Sequence, residues 1–350
     1  MQAWISDVNA TGGINGHPIK LIVKDDGASA TTGVSDLQQL QQDHVVAIVN
    51  EASLVDVDWA PLAQKAGIPV IGGSSVQVAY NISPDFFSSS TNIFAAVYED
   101  MVLGKKYGPN IAILPCTEAP TCAASVAIYK AFAPSLGMTV GFNEAIAAST
   151  PDFTAACQAL KASHAQSYVV VDSVAVELRV SNTCVQQGVT AKLIESSGAV
   201  GPQLLNQPGA QGLLAADVNF PFITDNTPAT QRFHSVLQKY GPSNLSDQPA
   251  TNVSWAAMEL FGAALQGVGS GAVTSKSLEQ ALYSLPKDDT LGGLAPPLNF
   301  APGQIGHNDC SFVLGIAGGK YVAPQGATPS CAPAALVDGV AKAFLSHAGS

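Results

Sequence analysis

The sequence predicts an α/β fold built on parallel sheets, and three features predict it. Short β-rich runs alternate with longer amphipathic ones along most of the chain. The short runs are apolar throughout, as strands covered on both faces must be. The segments between them are long enough for a helix, which is what right-handed crossovers between parallel strands need.

Strands are expected at 19–24 (IKLIVK), 45–49 (VVAIV), 68–71 (IPVI), 111–114, 139–142, 168–171, 192–195 and 213–217. Helices are expected at 29–42, 56–66, 92–107, 123–136, 152–163, 174–187 and 228–240. Local chemistry supports them. Ser149-Thr150-Pro151-Asp152 supplies a cap and a first-turn proline. Ala66-Gly67-Ile68-Pro69 ends one helix and opens a strand, and Gln187-Gly188-Val189 repeats the device, with glycine in the left-handed terminal conformation. Beyond 240 the texture changes. A loop rich in Pro, Ser, Asn and Asp precedes a long helix at 250–268 and a shorter one at 275–284. LGGLAPPLNFAPGQIGHND is too rich in Pro and Gly to be regular. SFVLGIAGGKYV reads as strand, Gly-Gly turn and strand, and PAALVDGVAKAFLSH at 333–347 as a surface helix.

A chain of 350 residues suits two domains, or one large one. With 15 basic and 26 acidic residues, the net charge is −11. A basic face for nucleic acid or for an anionic membrane is therefore not expected. Charged residues are 12% of the chain, about half the usual ~25%, while 47% hydrophobic content excludes a disordered chain. No apolar run approaches the ~18 residues that span a bilayer, and the opening MQAWISDVNA has neither the basic start nor the apolar core of a signal peptide. Two readings stay open: a cytosolic protein, or an exported one whose leader lies outside these residues. The six cysteines, Cys116, Cys122, Cys157, Cys184, Cys310 and Cys331, favour disulfides and hence export over buried thiols. Cys116 and Cys122 bound a proline-containing loop able to close on itself, and Cys310 and Cys331 flank the expected hairpin.

Enzyme motifs mostly fail. GIAGGK at 315–320 lacks the spacing of a phosphate loop and suits a hairpin turn, and GVGSGA at 267–272 follows a helix rather than a strand. No G-x-S-x-G occurs, and the six histidines are scattered. Asp25-Asp26 reads as structural carboxylates at a strand end rather than a metal site.

The opening WISDVNATGGINGHPIKLIVKDDGA, with Asn9, Gly12-Gly13-Ile14-Asn15-Gly16, Pro18 and Asp25-Asp26, resembles the extracellular solute-binding proteins of the leucine/isoleucine/valine-binding family. AIVNEAS, KAGIPVIGGSS, TPDFTAACQALKASHAQSYVVV and PPLNFAPG follow in the family's order. The resemblance implies a type I periplasmic binding fold: two Rossmann-like parallel-sheet lobes joined by a three-crossing hinge, with a ligand in the cleft. Lobe one would be 1–114 with 248–303, and lobe two 115–247 with 304–350. All six cysteines then fall in lobe two, paired 116–122, 157–184 and 310–331. The function implied is the receptor of an ABC transporter, capturing a small amino acid, amide or organic acid without cofactor or metal. Its partners would be that ligand and a membrane permease, and it would work as a monomer in the periplasm, outside the cell or as a cell-surface lipoprotein. A sensor of the same fold coupled to a regulator, or a hydrolase, are the alternatives. One departure stands out. Family members carry a first strand and most of a first helix before the Asn-x-x-Gly-Gly segment, and about ten residues precede it here. The first strand of lobe one is thus expected to be missing, leaving backbone groups unpaired.

In parallel α/β sheets, ligands bind beyond the carboxyl ends of strands. That rule selects Ser53 after 45–49, Ser74 and Ser75 after 68–71, Glu118 after 111–114, Asp172 and Ser173 after 168–171, and Ser197 after 192–195. Hydroxyls and free backbone N–H groups there suit a carboxylate or amide, against the plainer reading that Ser and Gly make turns. The family's amino-acid binders grip a carboxylate from lobe one and the ammonium with a lobe-two acid. Here Val76 takes the lobe-one threonine position and Ser197 the acid position. Glu118 or Asp172 is left to substitute, and a less charged ligand gains ground.

Overall fold

Helix ends follow the local chemistry. Gly67, at φ +67°, closes the helix Asp56–Ala66, and Thr227 caps the proline-led helix Pro228–Tyr240. In this computed structural model the described residues are 1–348, apart from 74, 119, 196–199, 243–249 and 307. They form two units, one of Met1–Ile93, Val218–Ser246 and Ala250–Asn308, the other of Phe94–Asp217 and Asp309–Ser350.

The first unit has a three-stranded parallel sheet, β1 (Ile48–Glu51), β2 (Val70–Gly73) and β3 (Phe86–Phe87), in that order. The long helix Thr251–Val268 packs on β1 and β2. Leu37, Trp59, Val70, Tyr80 and Phe86 form a core on which the Trp59 and Phe86 rings stack at 5.7 Å. The strand expected at 19–24 is not formed. A strand exists only by pairing, and the backbone of Lys20–Lys24 makes no hydrogen bond.

The second unit carries β4 (Asn110–Pro115), β5 (Thr139–Asn143), β6 (Ser167–Val171), β7 (Lys192–Glu195), β8 (Leu214–Asp217), β9 (Cys310–Ala317), β10 (Lys320–Val322) and β11 (Ser330–Cys331). Their order is β10-β9-β8-β7-β6-β4-β5, with β11 on β9. β4 to β8 are parallel, and β9 joins β8 and β10 antiparallel. Ile111, Ala112, Ile113, Leu114, Val169 and Val170 are fully buried, as a covered parallel sheet requires. The expected lobe boundary at 114/115 compares with 93/94 here. The reason is pairing: β4 bonds to β5 and β6, which takes the helix Ile93–Lys105 and β4 into the second unit, apart from Ile93 itself.

All three expected disulfides are present: Cys116–Cys122, Cys157–Cys184 and Cys310–Cys331. The middle one joins the helices Thr154–Ala162 and Val174–Gln186.

The chain leaves or re-enters the first unit after Ile93, before Val218 and after Asn308. These points lie side by side. Thr91 N–H donates to the Val218 carbonyl at 2.9 Å and Asn92 N–H to the Asn308 carbonyl at 2.9 Å. Asn219 Nδ2 donates to the Ser89 carbonyl, and Asn308 Nδ2 to those of Ser88 and Ser90.

Candidate functional site

In the first unit the carboxyl ends of β1 and β2 are shaped by their glycines. A side chain on Gly73, at φ +128°, would place Cβ 2.2 Å from the Glu51 carbonyl oxygen. A side chain on Gly72 would meet the Ala257 backbone at 2.4 Å. Ser53 is half-buried and its hydroxyl is fully engaged. It donates to Asp26 Oδ2 and accepts from Trp59 Nε1 at 3.2 Å and from Val55 N–H at 3.1 Å. Ser75 is buried and its hydroxyl donates to the Thr91 carbonyl. Ser74 lies outside the described residues. The two described serines therefore hold the protein together.

The same strand ends hold groups that the sequence reading did not single out. Glu51 accepts from Ser53 N–H through Oε1, while its buried Oε2 has no partner. Burial pushes this carboxyl up to about 8. Asp56 is buried and accepts from Ala79 N–H at 2.7 Å; burial raises it too. The signal was present, since Glu51, the last residue of β1, follows the expected strand 45–49 as Ser53 does. Close to these groups in sequence, Leu54, Val57, Val76, Val78 and Ile82 are all exposed.

In the second unit, β4 and β6 are neighbours, which brings the loops after them together. Carboxylate oxygens of Glu118 and Asp172 and the Cys116 sulfur all lie within 4.8 Å of one another. That sulfur is bonded to Cys122 and is no thiolate, so the group amounts to a pair of carboxylates. Glu118 is exposed, and its Oε1 accepts from Ala148 N–H at 2.6 Å and its Oε2 from Thr117 N–H at 3.0 Å. The Ala148 N–H above all holds its carboxyl below the usual carboxylate range. Asp172 Oδ1 accepts from Ser173 N–H at 2.6 Å, and its buried Oδ2 has no partner. Ser173 is exposed at the head of the helix Val174–Gln186, with its hydroxyl uncommitted to that cap. Ser197 lies outside the described residues. Two adjacent carboxylates, one with a free acceptor, suit an ammonium or another multi-donor cation.

Deeper in the same unit sits a second acidic group that sequence reasoning missed. Asp100 and Glu177 are each about 1% exposed. Tyr129 donates to Asp100 Oδ2 at 2.8 Å, while neither Glu177 oxygen has a hydrogen-bond partner. Burial first, and neighbouring carboxylates second, push the Glu177 carboxyl well above its ordinary range. Asp100 moves the same way, by burial foremost.

A family model described as periplasmic binding protein matches residues 1–314. A search of curated proteins finds no match. Among solved structures, the chain is similar to a branched-chain amino acid ABC transporter protein from Thermus thermophilus with bound valine, at TM-score 0.80 and 17% identity over 97% of this chain and 92% of that one. It is also similar to a fatty acid ABC transporter substrate-binding protein from Thermomonospora curvata, at 0.75 and 18% over 96% and 87%. A third is an ABC transporter solute-binding protein from Rhodopseudomonas palustris HaA2 in complex with p-hydroxybenzoic acid, at 0.73 and 17% over 92% and 88%.

Proposed function

We propose that this chain, which belongs to the periplasmic binding protein family, is the solute receptor of an ABC transporter and works outside the cytoplasm. It captures a small solute and hands it unaltered to a membrane permease. The solute we assign carries an amino group and an apolar body. The observation that carries the assignment is the Glu118–Asp172 pair, because a ligand bearing only carboxylates would be repelled there. The valine bound to the Thermus thermophilus protein has both features, whereas p-hydroxybenzoic acid has no amine. Glu118 and Asp172 thus take the ammonium role, and Ser173 adds a hydroxyl. Ser53 and Ser75 shape the strand ends of the first unit, and Ser74 and Ser197 remain proposed contacts. Binding works by favouring one conformation of the protein over another, which takes about 5.5 kcal/mol of differential affinity to swing a population from 1:99 to 99:1.

Calorimetry with apolar amino acids, their amides and the matching acids without the amino group tests this. The amine-bearing members should bind, and Glu118→Gln or Asp172→Asn, each checked as folded by circular dichroism, should weaken them about tenfold or more. Equal binding of the amine-free acids, indifferent to both substitutions, would overturn the assignment of the amine. Chemical change in the recovered solute would overturn the receptor role.

A further inference from the structure

Glu118 sits in the short loop closed by Cys116–Cys122. Cys116 is anchored, since its N–H donates to the Val171 carbonyl at 3.1 Å. The Glu118 side chain is exposed, and an exposed glutamate samples several rotamers unless something holds it. Two backbone donors reach its carboxylate. Thr117 N–H is shared, because it also donates to the Ile146 carbonyl at 2.9 Å. The Ala148 N–H, at 2.6 Å, is the closer donor and the first cause of the lowered carboxyl. It comes from the segment 144–153, which joins β5 to the helix Thr154–Ala162.

That segment is pinned to the sheet at Ile146, which is buried and whose N–H donates to the Pro115 carbonyl at 2.9 Å. Further on, a single side chain holds it. Arg179 donates from Nη1 to the Ala148 carbonyl at 2.8 Å and from Nη2 to the Thr150 carbonyl. Its guanidinium lies 5.0 Å from the centre of the Phe153 ring, and Phe153 is buried, so the ring is a fixed platform. Among the described residues Arg179 makes no ion pair. Two carbonyls two residues apart call for donors in a rigid fork, which an arginine has and a lysine lacks. Arg179 stands in the second turn of the helix Val174–Gln186, which begins just after Asp172 and Ser173. The same helix therefore starts beside one carboxylate of the pair and reaches the other through Arg179 and Ala148. Asp172 faces Glu118 from the end of β6, and the disulfide, which does not titrate, faces it from the end of β4.

We propose that Arg179 is the positioning residue of the carboxylate pair: its fork fixes the segment 148–150 so that the Ala148 N–H aims Glu118 beside Asp172. Its importance for affinity rests on the reading of that pair as the amine site. Arg179 touches no solute in this scheme. It acts by sparing the solute the cost of ordering Glu118, which is the gain that preorganisation brings.

The test is read first without solute. Carboxyl NMR titrations follow Glu118 and Asp152 in the full chain, in Arg179→Met and in Arg179→Lys, each checked as folded by circular dichroism. Asp152 is the internal control, because its carboxyl is held below the usual range by Thr154 rather than by Ala148. The proposal expects the Glu118 carboxyl to rise toward its ordinary range in both variants while Asp152 stays where it is. Arg179→Lys is the stricter arm, since it keeps the charge and loses the fork. No rise in either variant overturns the proposal. A rise in Arg179→Met alone assigns the effect to charge and overturns it as well, and so does a rise of Asp152 alongside Glu118, which would mean that the whole segment has come apart. Calorimetry with valine and its amide then expects binding about tenfold weaker in both variants. Unchanged affinity in a variant whose Glu118 titration has moved also overturns it. If neither compound binds the wild type, the amine assignment falls, and the titrations still decide the role of Arg179.

Discussion

Glu51 shows how one buried side chain couples the fold to pH. Its carboxyl is pushed up to about 8, mainly by burial, while Ser53 N–H pulls the other way and Asp56 and Asp26 add to the rise. In the unfolded chain it titrates near its ordinary 4.5. Between those values the folded state keeps a proton that the unfolded state releases. The stability Glu51 contributes is therefore fully present below about 4.5 and is lost as pH rises through about 8. One such group gives a slope of up to about 1.4 kcal/mol per pH unit. Urea unfolding followed at pH 5 and pH 8 should show the wild type losing stability across that range and Glu51→Gln losing less. An equal loss in both would mean that Glu51 is ionised in the folded chain. Glu177 and Asp100 act in the same direction from inside the second unit, so Glu51→Gln reduces the pH dependence without abolishing it.

At the scale of elements, most helices and the second-unit strands were legible, because each carries its own signal in capping residues, terminal glycines and apolar runs. The hairpin and the three disulfides were legible too. The run at 19–24 was not, because a strand depends on a neighbour and an apolar pattern says nothing about whether the neighbour is there. The site divides in the same way. The rule of strand carboxyl ends finds Glu118 and Asp172 singly, but their closeness follows from β6 lying beside β4 with β5 on the other edge, an order not written in the sequence. The Gly-Gly-Ser-Ser segment was read as a ligand loop, yet its two glycines end β2 and answer a packing demand. Gly73 has a left-handed φ and the Glu51 backbone where a side chain would be. Gly73→Ala should therefore cost more than about 1 kcal/mol in urea unfolding, whether or not solute is present. A variant as stable as the wild type but unable to bind would return that turn to the ligand.

For the whole molecule, chemistry is divided unequally between the two units. Each has its own sheet and core, but all six cysteines, as three disulfides, lie in the second. All three tryptophans, Trp4, Trp59 and Trp255, lie in the first. Tryptophan fluorescence thus follows one unit, while reduction weakens the other. Cutting a native disulfide typically costs 2–5 kcal/mol, largely by releasing the unfolded chain from a closed loop, and the loops here span 6, 27 and 21 residues. Units joined by a few chain crossings are expected to unfold separately unless a large apolar interface couples them. Reduction should then split a denaturation experiment in two. The backbone circular dichroism signal should gain an early phase from the second unit, and the tryptophan midpoint should stay where it was. A tryptophan midpoint that falls together with the early phase would show that the units unfold as one cooperative body, and stability changes measured in either would then have to be read as properties of both.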